Sequence, residues 1–129
     1  MNKPTIVIAE DDSIIREGCL YPLLESDFAI VAAVQDGKSA VTAVEEHKPN
    51  VVLLDVSLPV MRGFDAGRLI MSAQPDVKVI FVSNYTDKAY VDEAMRMGAS
   101  GYVLKSRAAM ELVPAIHAAL SGQFYSGLR

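Results

Sequence analysis

The feature that most constrains the fold is an alternation of short apolar runs with longer segments of helical period. Most of the runs are apolar at successive positions and rich in β-branched residues, which is typical of strands covered on both faces. These runs are residues 5–9, 29–34, 51–55, 77–83 and 101–105. The helical segments are residues 13–25, 37–47, 63–72, 87–97 and 107–121. Strict βα alternation predicts an α/β protein with a doubly wound parallel sheet and right-handed crossovers.

Composition and charge narrow the class of protein. A length of 129 residues suits one domain with a single core. With 51% hydrophobic and 22% charged residues, the chain is globular rather than disordered. The net charge of −4 argues against binding of nucleic acid by this chain alone, because such binding needs a basic face that displaces counterions from phosphates.

The cysteine content and the hydropathy of the chain indicate where in the cell the protein is located. Cys19 is the single cysteine, so an internal disulfide and a metal site built from several cysteines are excluded. No apolar run is long enough to span a bilayer. The first residues also lack the small-residue cleavage site of a signal peptide. We therefore expect a cytoplasmic protein without a membrane partner.

Acidic residues follow the first predicted strand. In the stretch IVIAEDDS, residues 6–13, the apolar run leads directly into Glu10, Asp11 and Asp12. Unpaired buried charge is costly, and adjacent like charges increase the cost. The acids therefore either lie at a solvated strand end or bind a cation. Asp12 and Ser13 are good helix N-caps, and we favour that structural role for both.

Polar side chains also end the other strands. Asp55 ends the third strand, Ser83 the fourth and Lys105 the fifth. In an open α/β sheet, ligands bind beyond the carboxyl ends of the strands. If the first and third strands are neighbours, these side chains converge with Glu10 and Asp11 in one crevice. Clustered carboxylates are suited to Mg²⁺, which would also favour phosphoryl transfer to a carboxylate, and a lysine would balance a phosphoryl oxygen.

The chain resembles the receiver domain of bacterial two-component response regulators. The resemblance extends from about residue 5 to 121. Four motifs carry it, namely IVIAEDDSIIREG, PNVVLLDVSLPVMRGFD, VIFVSNYTD and GASGYVLKS. Within this family, the motifs are most similar to those of LuxR/NarL-type transcription factors. The resemblance implies a flavodoxin-like (βα)5 fold with strand order 2-1-3-4-5. It also implies a receiver domain at 1–121, with 122–129 as a tail or the start of a linker to an output domain.

The resemblance assigns the phosphorylation chemistry to particular residues. Asp55 would be the phosphoacceptor, receiving a phosphoryl group from a sensor histidine kinase. Glu10, Asp11 and Asp55 would hold Mg²⁺ together with the backbone carbonyl of Ser57. Glu10 stands where Asp is commoner, so its longer side chain is expected to reach the metal through a bound water.

The same resemblance assigns the switch. Ser83 would move toward the phosphoryl group, Lys105 would pair with that group, and Tyr102 would turn inward when Ser83 moves. Two positions depart from the family pattern. Asn84 is bulkier than the residue usual there, which is expected to affect phosphoryl access or the lifetime of the phosphorylated state. Ser106 replaces a common proline, so no cis peptide bond is assumed.

The function implied is a switch rather than an enzyme with an external substrate. The chain would assist its own phosphorylation and dephosphorylation, and phosphorylation would change homodimerisation or output. Transcription would be regulated through a C-terminal helix-turn-helix domain that binds DNA and is not in this chain. A stand-alone receiver and a phosphorylation-independent interaction module stay open as alternatives. An Asp-based phosphohydrolase is disfavoured, because Ser57 stands where such enzymes have a second acid.

The kinase-facing surface follows by analogy with the same family. We expect it on the first helix and the adjoining loops, around Ile14, Ile15 and Cys19.

Overall fold

A single parallel sheet forms the centre of the molecule. The structure is a computed structural model, and it describes residues 2–128. The strands are β1 (Thr5–Ala9), β2 (Ala29–Val34), β3 (Val51–Asp55), β4 (Lys78–Ser83), β5 (Gly101–Leu104) and β6 (Tyr125–Ser126). Their order is β2-β1-β3-β4-β5-β6, and every neighbouring pair is parallel. This confirms the expected order and adds a sixth, two-residue strand within the segment 122–129.

Five helical segments connect the strands. They are α1 (residues 13–24), α2 (Gly37–His47), α3 (Gly63–Ala73), α4 (Lys88–Met97) and α5 (Ala108–Leu120). The predicted bounds of these helices and of the first five strands differ from the observed ones by at most one residue. Within the part of the chain that the structure describes, no helix has both the length and the apolar character needed to cross a membrane.

The helices cover both faces of the sheet, as the successive apolar residues of the strands predict. Val7 and Ala9 of β1 belong to a core cluster with residues of α2, α3 and α4. Ile6 and Ile8 point to the opposite face and pack with residues of α1 and α5. Every residue of β3 is buried, because it lies at the centre of the sheet between the two layers.

The first helix begins at a capped turn and then changes its helical form. Asp12 accepts hydrogen bonds from the backbone N–H of Ile14 (2.9 Å) and of Ile15 (3.4 Å), which confirms its predicted role as an N-cap. Residues Arg16–Leu20 then form a π-helix, and Tyr21–Leu24 return to α-helix. Pro22 is the second residue after the π-helical segment and has no N–H to donate to the preceding turn.

Asp36 caps α2, and its charge makes the cap dependent on pH. Its carboxylate accepts from Ser39 N (2.7 Å) and from Ser39 Oγ (2.9 Å), and these bonds lower the pKa of Asp36 below its ordinary value of 3.8. A lowered pKa contributes stability above the unfolded-state value, and this stability is lost as the pH falls through the folded-state pKa. We therefore expect Asp36→Ala to destabilise the protein near neutral pH and much less in acid.

Chemical denaturation across acid to neutral pH tests this expectation. Asp36→Asn is the matched control, because asparagine keeps an acceptor oxygen for Ser39 but does not titrate. The difference between the alanine and asparagine variants should then be independent of pH. A destabilisation by Asp36→Ala that is the same in acid as at neutral pH would contradict the charged-cap account.

Candidate functional site

The strand order brings the polar strand ends to one edge of the sheet. β1, β3, β4 and β5 are consecutive neighbours and run parallel, so their carboxyl ends lie together. Glu10 directly follows β1, Asp55 and Ser83 end β3 and β4, and Lys105 directly follows β5. The condition on which the predicted convergence depended, that β1 and β3 are neighbours, is met.

A three-charge cluster lies at the centre of this edge. Lys105 Nζ is 2.9 Å from Glu10 Oε1 and 3.0 Å from Asp55 Oδ2. The side chains of Glu10, Asp55 and Lys105 are only 1%, 5% and 11% exposed. Charges removed from water in this way interact much more strongly than surface ion pairs do. The cluster therefore dominates the electrostatics of the crevice.

Burial and mutual contact shift the pKa values within the cluster. Burial raises the pKa of the Glu10 carboxyl above its ordinary value, the interaction with Lys105 opposes that rise, and the nearby Asp55 charge adds to it. Burial alone would lower the pKa of the Lys105 ammonium, but its interactions with Glu10 and Asp55 outweigh burial and raise it. Lys105 is therefore held as a cation that compensates the two acids.

The acids also form a group suited to a metal ion. Glu10, Asp11 and Asp55 each offer a carboxylate oxygen, and these oxygens lie within 4.8 Å of one another. Glu10 Oε1 is buried and is in contact with the Lys105 ammonium at 2.9 Å. An all-oxygen set of this kind is the donor chemistry that hard divalent cations prefer. The residues present therefore fit a metal such as Mg²⁺.

Backbone contacts hold the loop after Asp55 in place. Ser57 N donates to Asp55 Oδ1 at 3.1 Å, and Gly63 N donates to Val56 O at 3.0 Å. Gly63 packs so closely that an added Cβ would lie 2.1 Å from the backbone oxygen of Asp55. Val60, also in this loop, has φ +68°, which is unfavourable for a β-branched residue. The loop is therefore closely packed and strained beside the acidic cluster.

Ser83 and Tyr102 are connected through a residue that the sequence analysis did not identify, Tyr85. Ser83 Oγ accepts a hydrogen bond from Tyr85 N at 3.0 Å. The Tyr102 hydroxyl donates to the backbone oxygen of Tyr85 at 2.8 Å. Tyr102 is almost completely buried, and burial raises the pKa of its phenol. The ring of Tyr102 therefore already points inward in this structure.

The side chain of Tyr85 also bridges two loops of the site. Ser57 Oγ donates to the Tyr85 hydroxyl at 3.0 Å, and the Tyr85 ring stacks on Tyr90 of α4 with a centroid separation of 4.6 Å. The sequence contains no signal for these contacts beyond an aromatic residue placed two positions after Ser83. Tyr85 joins the loop after Asp55 to the first turn of α4.

The remaining predicted positions lie around this centre. Asn84 and Ser106, the two departures from the family pattern, are exposed at the ends of β4 and β5. Ile14 is 77% exposed, whereas Ile15 and Cys19 are half-buried against the core cluster of α1 and α5. Ile14 is therefore the residue among these three that is most accessible to another protein.

The parallel α/β fold and the acidic site at the carboxyl ends of its strands are those expected of a receiver domain. Comparison with known protein families agrees with this class. Residues 6–117 match the family described as response regulator receiver domain. The chain belongs to this family.

Individual relatives refine the comparison. The chain is 39% identical over 125 residues to the transcriptional regulatory protein DegU of Brevibacillus brevis, which covers 96% of this chain and 53% of DegU. It is similar to a LuxR-family two-component response regulator from Aurantimonas, with a TM-score of 0.89, 33% identity and coverage of 95% and 89%. The chain is also similar to a LuxR-family DNA-binding response regulator from Staphylococcus aureus. The TM-score is 0.80 and the identity 31%, with coverage of 91% of this chain and 98% of that one. The chain spans about half the length of DegU.

Proposed function

We propose that this receiver domain is switched by phosphorylation of Asp55, with a sensor histidine kinase as the donor. The observation that carries the proposal is the position of the Asp55 carboxylate. It lies at the open carboxyl edge of the sheet, 3.0 Å from Lys105 Nζ and within one group of three acids. A buried carboxylate beside both a cation and a potential metal site is suited to accept a phosphoryl group.

Mg²⁺ is the cofactor that fits this proposal. Glu10, Asp11 and Asp55 would hold it together with the backbone carbonyl of Ser57. When bound, Mg²⁺ would supply charge neutralisation for the phosphoryl oxygens. Asp11 is exposed while Glu10 and Asp55 are buried, so the three acids offer ligands from the rim and from the floor of the crevice.

The other residues of the chain then respond to the new charge. Lys105 would leave the Asp55 carboxylate for a phosphoryl oxygen, because an aspartyl phosphate places its negative charge farther from β3. The Ser83 hydroxyl would donate to a second phosphoryl oxygen. Its bond from Tyr85 N would then weaken, and the loop that holds the Tyr102 hydroxyl would move. In this way the site biases an existing two-state element.

The output of the switch is proposed from the relatives. DegU is named a transcriptional regulatory protein, and one similar structure is titled a DNA-binding response regulator. We propose that phosphorylation alters homodimerisation or docking through the surface of α4, β5 and α5. A C-terminal helix-turn-helix domain would then act on DNA, and the whole process would take place in the cytoplasm. A stand-alone receiver is the alternative for the same chemistry.

Intact-mass measurement after incubation with acetyl phosphate tests the phosphorylation. We expect one phosphoryl adduct that is stable in acid, is labile in base and requires Mg²⁺. Asp55→Asn should abolish the adduct, because an amide cannot form the acyl phosphate under these conditions. The removal of added Mg²⁺ should have the same effect on the unsubstituted protein.

The alternatives give different results in the same experiment. Rapid consumption of acetyl phosphate without an adduct would favour a phosphohydrolase. Neither an adduct nor consumption would favour a phosphorylation-independent interaction module. The adduct on the unsubstituted protein would also establish that the chain assists its own phosphorylation, because acetyl phosphate supplies no kinase.

A further inference from the structure

We propose that Arg16 is a positioning residue for the acidic metal site. Its guanidinium fixes the peptide unit that joins Glu10 to Asp11. The inference rests on the metal site of the proposed function, and it adds to that site a residue outside the set of metal ligands.

The first observation is the burial of Arg16. The residue is only 9% exposed, whereas arginines are rarely buried unless they are paired. Within residues 2–128, no carboxylate lies within ion-pair distance of its guanidinium. A buried cation without a countercharge is expensive to keep. The cost of burying this guanidinium indicates that the hydrogen bond it makes has a structural or functional role.

The second observation is the group that Arg16 binds. Arg16 Nη1 donates to the backbone oxygen of Glu10 at 2.7 Å, in a buried contact. That oxygen belongs to the peptide unit between Glu10 and Asp11, two of the three acids of the site. The orientation of this peptide plane is linked to ψ of Glu10 and φ of Asp11, one of the two backbone torsions at each acid. By holding this plane, Arg16 would restrict the backbone freedom of both acids.

Other hydrogen bonds hold the backbone N–H and the side chain of Glu10. Its backbone N–H donates to Val34 O at 3.0 Å, and its Oε2 accepts from Asp12 N at 3.2 Å. With the carbonyl bound by Arg16, the remaining oxygen, Oε1, is in contact with Lys105 Nζ at 2.9 Å. Each contact leaves that oxygen less freedom to turn away. A carboxylate held in advance loses less conformational entropy when it binds a metal, directly or through a bound water.

The short distance along the chain makes Arg16 a rigid support. Asp12 caps the first turn of α1, and Arg16 N donates to Asp12 O at 2.9 Å. Glu10, Asp11, the capping Asp12 and Arg16 therefore lie within one segment of seven residues, from Glu10 to Arg16. The same backbone hydrogen bond places Arg16 one turn above the cap, so its guanidinium can reach back to the end of β1.

Calorimetric titration of the purified chain with Mg²⁺, without a phosphodonor, tests this role. Arg16→Met keeps the aliphatic stem but removes every donor. We expect it to raise the Mg²⁺ dissociation constant about tenfold, the lower end of the effect seen when residues that support metal ligands are removed. Arg16→Lys retains a charge and a donor and should recover part of the affinity. Arg96→Met, at an exposed position on α4, should bind Mg²⁺ as the unsubstituted chain does.

Denaturant unfolding of each variant separates positioning from stability. Weaker Mg²⁺ binding by Arg16→Met in samples that are folded before titration, with partial recovery in Arg16→Lys, supports the proposal. Equal Mg²⁺ affinity in all four proteins overturns it and leaves the phosphorylation of Asp55 untouched. If the unsubstituted chain does not bind Mg²⁺, the metal site of the proposed function fails and this inference fails with it. If Arg16→Met does not fold, unchanged affinity in Arg16→Lys overturns the proposal, and a clear loss supports it.

Discussion

Replacing Lys105 with methionine is expected to lower the free energy of unfolding by about 3 kcal/mol near neutral pH without Mg²⁺, as is typical when one partner of a buried ion pair is removed. Lys105 is the cation within 3.0 Å of both Glu10 and Asp55. Without it, two buried carboxylates face each other with no direct countercharge. Methionine retains most of the apolar stem, so the loss is chiefly electrostatic.

The destabilisation by Lys105→Met should depend on pH in a defined direction. Burial already raises the pKa of Glu10, and the removal of Lys105 takes away an interaction that opposes the rise. An acid with a raised pKa binds more protons in the folded state, so stability falls as the pH rises from the unfolded-state value toward the folded-state one. The destabilisation should therefore develop above the ordinary Glu10 value of 4.5 and be small below it.

Two measurements distinguish this explanation from a simple packing defect. Mg²⁺ should stabilise Lys105→Met more than the unsubstituted protein, because the ion replaces the missing positive charge. Glu10→Gln added to Lys105→Met should recover much of the lost stability, because only one buried acid is then uncompensated. If urea unfolding shows no loss in Lys105→Met, or a loss that neither Mg²⁺ nor Glu10→Gln reduces, the ion-pair account is wrong.

The fold was largely predictable because its signals are local. Apolar β-branched runs and turn residues placed the first five strands and all five helical segments to within one residue. The acid after β1 and the acid that ends β3 were found because a carboxylate at the end of a buried run is unusual. The strand order came from the resemblance to receiver domains, since periodicity does not say which strands are neighbours.

What the sequence did not predict depends on contacts between distant segments. β6 is a strand only because Tyr125 N reaches Ser100 O and pairs at the edge of β5. Tyr85 is structurally important because of Ser57, 28 positions earlier in the chain, and because of Tyr90. The buried Arg16 likewise reaches the backbone oxygen of Glu10, which follows β1. Arg16 and Tyr85 lie within motifs that carry the resemblance to receiver domains, but their positions in those motifs do not indicate which contacts they make.

Gly63→Ala is expected to produce the second large effect, a loss of about 3 kcal/mol, at the upper end of the usual cost of inserting a methyl group into a well-packed site. The new Cβ would lie 2.1 Å from the backbone oxygen of Asp55 and 2.8 Å from Val56 Cα. Both neighbours are backbone atoms, so the clash cannot be relieved by rotating a side chain. The peptide that carries the proposed phosphoacceptor must therefore move.

The comparison with Gly18→Ala shows whether this effect is specific to the loop. A Cβ at Gly18, inside α1, would have Ile14 Cγ2 at 4.0 Å as its nearest neighbour, so alanine should be neutral or stabilise by up to about 1 kcal/mol. Gly63→Ala should also slow the uptake of phosphoryl from acetyl phosphate, since Asp55 is displaced from Lys105, whereas Gly18→Ala should not. If Gly63→Ala retains both its unfolding free energy and its rate of uptake, the loop after Asp55 relaxes without moving the carboxylate. In that case the position of Asp55 is determined by β3 and Lys105 rather than by the packing of α3 against this loop.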